Sequence, residues 1–183
     1  MYLTSVYSYH NLSQENSMTP EQKFAKLYKE MWDLCQENEW GDPFSYARAK
    51  EIYATCALGH SMPAPDAYSG ADGINEKGEG VEYKSTIGKS IKGSYTGISV
   101  QPTWEEQDRY LREEKIAKYP EHYYNRFEDG KLVESWKLTG QQVYEILGPK
   151  LKDKFSTVLN QKDPRLSATV TTGEIHQYGK RVL

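Results

Sequence analysis

Apolar positions in the first third of the chain recur at helical spacing. Thr19-Pro20-Glu21-Gln22 opens the pattern, with Thr19 as N-cap, Pro20 at the first helical position and Gln22 where a capping box needs it. Phe24, Leu27, Tyr28, Met31 and Leu34 or Cys35 then fall on one helix face. Gly41-Asp42-Pro43 ends that helix and predicts a second, capped by Asp42, running to Leu58 and closed by Gly59. Residues 1–18 carry no period and read as an irregular arm rich in Tyr and Ser.

From Ser69 to Thr86 the pattern changes to a strand, a glycine-rich turn and a second strand. Ser94 to Val100 has the β-branched and aromatic composition of a third strand. Thr103 and Glu106 form another capping box, and the helix behind it is so charged that most of it must be solvated. Tyr123–Phe127 and Leu132–Leu138 flank Asp129-Gly130, a strong hairpin signal. Thr139 and Gln142 cap a helix that Gly148-Pro149 is expected to interrupt, with a second piece to about Asn160. Residues 165–182 supply one or two more strands. The order predicts a mixed α/β (α+β) fold, a central mixed β-sheet flanked by helices, as one domain over residues 19–183.

Composition narrows the class. The 183 residues are 37% apolar and 27% charged, with a mean hydropathy of −0.82, and 15 tyrosines and 4 tryptophans supply the bulk that aliphatic residues do not. An aromatic-rich core is therefore expected. Cys35 and Cys56 lack metal-ligand spacing and read as buried, reduced thiols in helices. No run of 18 apolar residues and no basic-then-apolar leader is present, which predicts a soluble, cytoplasmic protein without membrane partners. A net charge of −3 argues against indiscriminate nucleic-acid binding but leaves room for a local basic cleft. Lys84, Lys89 and Lys92 offer one, because no acid lies between Glu82 and Glu105 in a chain holding 26 acidic residues.

The candidate chemistry lies in the hairpin. Glu82 and Lys84 are two apart in a strand and so share one sheet face. Asp72, in the strand before, can join them. Two carboxylates beside one ammonium repel each other, and a divalent cation would relieve the conflict. Register decides whether they meet. A symmetric hairpin centred between Lys77 and Gly78 sets Asp72 opposite Tyr83, on the wrong face, whereas an odd loop or a bulge sets it opposite Glu82 or Lys84. The bland alternative is a solvent-facing cross-strand ion pair.

An acidic residue in one strand, a turn, and Glu82-Tyr83-Lys84 in the next strand resemble the PD-(D/E)xK nuclease superfamily, whose best-known members are type II restriction endonucleases. The resemblance covers roughly residues 43–118. The same Asp/Glu-x-Lys pattern occurs at Glu21, Glu113 and Asp129, but those sit in predicted helices or a turn. Asp66, after Pro65, is a rival for the first acid; Asp72 is preferred because it lies in the strand that pairs with Glu82. The resemblance implies that Asp72, Glu82 and the Tyr83 carbonyl bind Mg²⁺. It implies that Lys84 orients the attacking water and stabilises the phosphorane-like state, and that Glu51 joins from the preceding helix. Lys89, Lys92 and Ser94 would contact DNA. The implied activity is Mg²⁺-dependent hydrolysis of double-stranded DNA to 5′-phosphate and 3′-hydroxyl ends by a homodimer. The alternatives are a structure-selective nuclease, such as a junction resolvase or repair nuclease, and a non-enzymatic DNA-binding or interaction module.

Other groups carry less. His60 follows Gly59 and either approaches the site or sits favourably at a helix C-terminus. His10, His122 and His176 have no metal-like spacing, and His122–Arg126 could present groups to DNA, though alternating core tyrosines explain it nearly as well.

Overall fold

A computed structural model describes residues 18–64 and 70–183. Residues 1–17 of the arm predicted over residues 1–18, and the rival acid Asp66, lie outside the described residues. The chain divides into two compact units, Met1–Arg48 and Ala49–Leu183.

In the first unit, α1 (Pro20–Glu37) starts at the predicted capping box: Thr19 Oγ1 accepts from the Gln22 N–H, and Gln22 returns a hydrogen bond to the Thr19 N–H. Cys35 is buried. Phe44 stacks on Tyr28 with ring centroids 3.9 Å apart. That stacking bears on where the next helix begins. Asp42 does not cap a helix at Pro43. Its Oδ1 accepts from the Phe44 N–H at 2.8 Å, closing an Asx turn two residues on rather than a helix cap three residues on. Residues 43–47 stay in turns, and α2 runs over Arg48–Leu58. Gly59, at φ 70°, ends it as predicted.

The second unit carries a five-stranded mixed sheet: β1 (Gly73–Ile74), β2 (Gly80–Ile87), β4 (Glu121–Glu128), β5 (Lys131–Thr139) and β7 (Lys180–Arg181), in the order β1-β2-β4-β5-β7. Only β2 and β4 run parallel; their register sets Glu82 beside His122 and Lys84 beside Tyr124. Between them the chain makes β3 (Gly93–Ser99) and α3 (Trp104–Tyr110), the latter followed by a π-helical turn, Leu111–Lys115. Strand β3 does not join the main sheet. It pairs with β6 (Arg165–Val170) in a separate two-stranded sheet. The β4–β5 turn holds Asp129 and Gly130 at φ 49° and 73°, as an Asp-Gly hairpin requires.

Alternation along β2 sorts the core into two. Val81 and Tyr83 face α2 and pack with Ala54, Leu58 and Tyr123. The opposite face joins the larger core, where Tyr124 and Leu138 meet Tyr95 and Ile98 of β3, Leu166 of β6, and Leu147 and Leu151 of α4 (Gly140–Val158). Strand β4 is buried on both faces, hence its continuous run His122–Asn125. Helix α4 corrects the expected break at Gly148-Pro149. The helix runs through Pro149, because Val143, Leu147, Leu151 and Phe155 form one buried stripe whose packing outweighs a missing N–H. Where one or two strands are expected over residues 165–182, two form, with a short helix, α5 (Thr172–Tyr178), between them. Cys56 is exposed, not buried, because it lies on the face of α2 away from Ala54. No helix among the described residues is long and apolar enough to cross a membrane.

Candidate active site

The β1–β2 loop settles the register. Ile74 pairs with Gly80, leaving five residues, Asn75–Glu79, in the loop. The Asn75 side chain organises them: its Oδ1 accepts from the Lys77 and Glu79 N–H groups at 3.0 and 2.9 Å. Gly78 supplies the left-handed residue at φ 79°. The odd loop sets Gly73 opposite Val81. Asp72 stands one residue ahead of β1, rather than inside it, and its N–H also turns to Val81, donating to the carbonyl at 2.9 Å, as a residue bulged out of the regular ladder does. Gly73 is needed beside it, since a Cβ there would lie 2.5 Å from the Tyr83 hydroxyl.

Asp72 Oδ2 accepts from the Tyr83 N–H at 2.8 Å. The Val81 carbonyl and the Tyr83 N–H both point to the β1 edge. Backbone alternation therefore turns the Tyr83 carbonyl the same way, toward Asp72. Burial, then the charges of Glu82 and Glu51, push the Asp72 carboxyl up to about 7. Glu51 acts from α2, where it shares a face with Ala54, Thr55 and Leu58, and its charge also bears on Tyr83. The four residues Glu51, Asp72, Glu82 and Lys84 thus interact electrostatically within one region.

Lys84 and Glu82 form an ion pair whose side chains are 23% and 17% exposed, so the pair is not a solvated surface contact. The Lys84 ammonium lies 4.8 Å from the centre of the Tyr95 ring. Beneath it, the His122 Nε2 stands 2.9 Å from the Ile116 carbonyl, which can only accept, so Nε2 carries the proton. Nδ1 then accepts from the Tyr95 hydroxyl at 2.8 Å, and the Tyr124 hydroxyl donates to Tyr95 at 3.0 Å. Burial holds His122 down at about 4, so the ring is neutral near neutral pH. Gly93 completes the cradle: a Cβ there would meet the Tyr124 ring at 2.2 Å and the Lys84 Cγ at 3.1 Å.

Sequence reasoning set His122 aside and missed Tyr95, Tyr124 and Gly93. These residues approach Lys84 through a parallel pairing and a second sheet, which leave no local signature. Tyr123 and Tyr124 are core, not DNA-facing. His60 does not end at a helix dipole alone; its Nδ1 lies 2.7 Å from the Tyr83 hydroxyl, behind the motif strand. Lys89 and Lys92 are exposed on either side of the buried Ile91, and Ser94 is exposed on β3, where its hydroxyl meets Thr169 at 3.2 Å.

Two carboxylates and a backbone carbonyl suit Mg²⁺, which takes few protein ligands and keeps waters and phosphate oxygens. The carboxylate excess around Asp72 is what such a cation would relieve. Among the described residues no three His, Cys, Asp or Glu side chains group closely enough to hold a metal ion. A cleft of about 490 Å³ opens on the other sheet face, lined by His60, Asn75, Glu121, Tyr123 and Lys137. Burial would raise Glu121, but hydrogen bonds from Lys137, Tyr123 and Asn75 bring it down to about 2, so its carboxylate is already satisfied within the protein. No protein-family model matches the chain, and no curated protein matches it significantly.

Proposed function

We propose that this chain is a Mg²⁺-dependent endodeoxyribonuclease acting on double-stranded DNA, of the site-specific restriction type. The observation that carries the reading is the buried Asp72 carboxyl held on the Tyr83 N–H of the motif strand, where the charges of Glu82, Glu51 and Lys84 all act on it. Asp72, Glu82 and the Tyr83 carbonyl would hold the cation. Bound there, it neutralises charge on the scissile phosphate and lowers the pKa of a coordinated water.

Lys84 does what a donor fixed beside a reacting phosphate does. Its ammonium, held by Glu82 and by the Tyr95 ring, stabilises negative charge as the water oxygen bonds to phosphorus. The bond from phosphorus to the 3′-oxygen breaks. The attacking water gives up its proton to solvent water, and the departing 3′-oxygen takes one from solvent, leaving as a hydroxyl. The acidic net charge favours a site-specific enzyme, because weak background attraction to phosphates leaves base contacts to decide where it binds.

The test is digestion of phage and plasmid DNA with Mg²⁺, beside an EDTA control and the Lys84→Ala protein. Discrete bands lost in both controls support the proposal, with a loss of at least about a hundredfold for Lys84→Ala. Retained cleavage by that variant refutes the site. A smear indicates a nuclease without sequence choice, and faster cutting of a branched substrate assigns the structure-selective alternative.

A further inference from the structure

Helix α1 presents a seam that no described residue of its own unit covers. Phe24, Leu27, Met31 and Leu34 follow 3-4-3 spacing, the a/d pattern of a coiled coil. They are 70%, 61%, 43% and 52% exposed. Tyr28, beside the seam at 47%, is capped on one side by Phe44. Apolar side chains of this size in a row along two heptads are an interface pattern rather than scattered surface residues.

We propose that α1 pairs antiparallel with α1 of a second copy of this chain. Area and charge both support that occupant. At roughly 200 Å² per large side chain, the exposed fractions of these five residues offer about 550 Å² per helix and about 1,100 Å² per pair, which clears the lower bound for a specific interface. The charges choose the orientation. Lys23 stands near the start of α1 and Glu37 at its end; Glu21 and Lys26 also lie in the first half, and Lys29, Glu30 and Asp33 in the second. Antiparallel pairing layers Phe24 on the partner subunit's Leu34 and Leu27 on the partner subunit's Met31. It sets Lys23 beside the partner subunit's Glu37, twice per dimer. A parallel pair would face Lys23 and Glu30 with Tyr28 and Cys35, which carry no charge to match. Glu30 falls near the two-fold axis, where Lys26 of its own helix stands 3.7 Å away. The contact is isologous and therefore closes at two copies. It rests on α1 alone and is independent of the nuclease reading.

Sedimentation velocity of the full chain from about 1 to 100 µM brackets an interface of this size. The expected result is a concentration-dependent monomer–dimer equilibrium that Leu27→Lys/Met31→Lys weakens at least tenfold with helical circular dichroism unchanged. In a Cys56→Ser background, mild oxidation should cross-link the Phe24→Cys/Leu34→Cys chain and neither single variant. A chain that is monomeric throughout overturns the proposal, as does a dimer insensitive to the lysine pair. Dimerisation appearing only after removal of residues 1–17 also overturns it, assigning the seam to the chain's own N-terminal segment. Cross-linking by Phe24→Cys alone overturns the antiparallel arrangement.

Discussion

Asp72→Asn separates what this carboxylate would do for catalysis from what it does to the fold. The Asp72 carboxyl sits at about 7 against an ordinary 3.8, mainly through burial and then through Glu82 and Glu51. Three units correspond to about 4 kcal/mol at most. A carboxyl raised in the folded state adds stability in full below its unfolded value, and the contribution disappears as pH rises through about 7. Above that, the protein holds a partly buried carboxylate beside like charges. Asparagine carries no charge at any pH and keeps an oxygen for the Tyr83 N–H. Asp72→Asn is therefore expected to be about 2–4 kcal/mol more stable than wild type at pH 8, with the difference vanishing near pH 4. His122 runs the other way. Held at about 4 against 6.5, it contributes stability above pH 6.5 that fades as pH falls toward 4, worth about 3 kcal/mol. The two effects oppose each other in wild type, whose stability should be nearly level from pH 4 to 7, whereas the variant should weaken steadily with acid. Urea unfolding at pH 4, 6 and 8 reads all of this. Added Mg²⁺ should stabilise wild type and not the variant, since a ligand bound to the native state alone raises its stability. A variant less stable than wild type at pH 8, or one with the wild-type pH slope, refutes the argument.

Three further outcomes test the surroundings of Lys84 and the long helix. Tyr95→Phe keeps the ring under the ammonium but strands the His122 Nδ1, so it should lose about 1–3 kcal/mol in thermal unfolding and keep most cleavage. Tyr95→Leu should lose both. Gly93→Ala drives a methyl into the Tyr124 ring, and a loss of about 1–3 kcal/mol with reduced cleavage is expected from denaturation and DNA digestion. Pro149→Ala should raise stability by about 1–3 kcal/mol, because α4 already runs through that position and gains an N–H; unchanged or lower stability in urea would count against a regular helix there.

What was legible in the sequence was the chemistry that acts within a few residues. Thr19, Thr103 and Thr139 each bond to the side chain three positions on, and Asp129-Gly130 sets its own turn, so those boundaries could be read directly. The hairpin register could not. Hydrophobic alternation left three pairings open, and the choice fell to Asn75, whose side chain gathers the loop into five residues. The start of α2 failed for a related reason: Asp42 has two turn chemistries available, and the stacking of Phe44 on Tyr28 accompanies the Asx turn. Pro149 was judged by its local penalty alone, although the buried stripe around it decides. The surroundings of Lys84 were beyond reach because Tyr95 and Tyr124 arrive from strands whose pairing no nearby residue announces.

The parallel pairing of β2 with β4 also fixes when the candidate site can form. Val81 lies beside Glu121, 40 positions later, whereas Gly73 and Val81 are joined through a short loop. A hairpin of that kind closes in microseconds, while a parallel partner must wait for its crossover to be threaded. Asp72 and Glu82 can therefore meet early, in water, where their repulsion is screened. Their burial awaits later elements, among them β4, which brings His122 and Tyr124 beside Glu82 and Lys84. The electrostatic penalty would then fall on one late step of folding, and mild acid, by protonating Asp72, should speed that step while leaving the initial hairpin untouched.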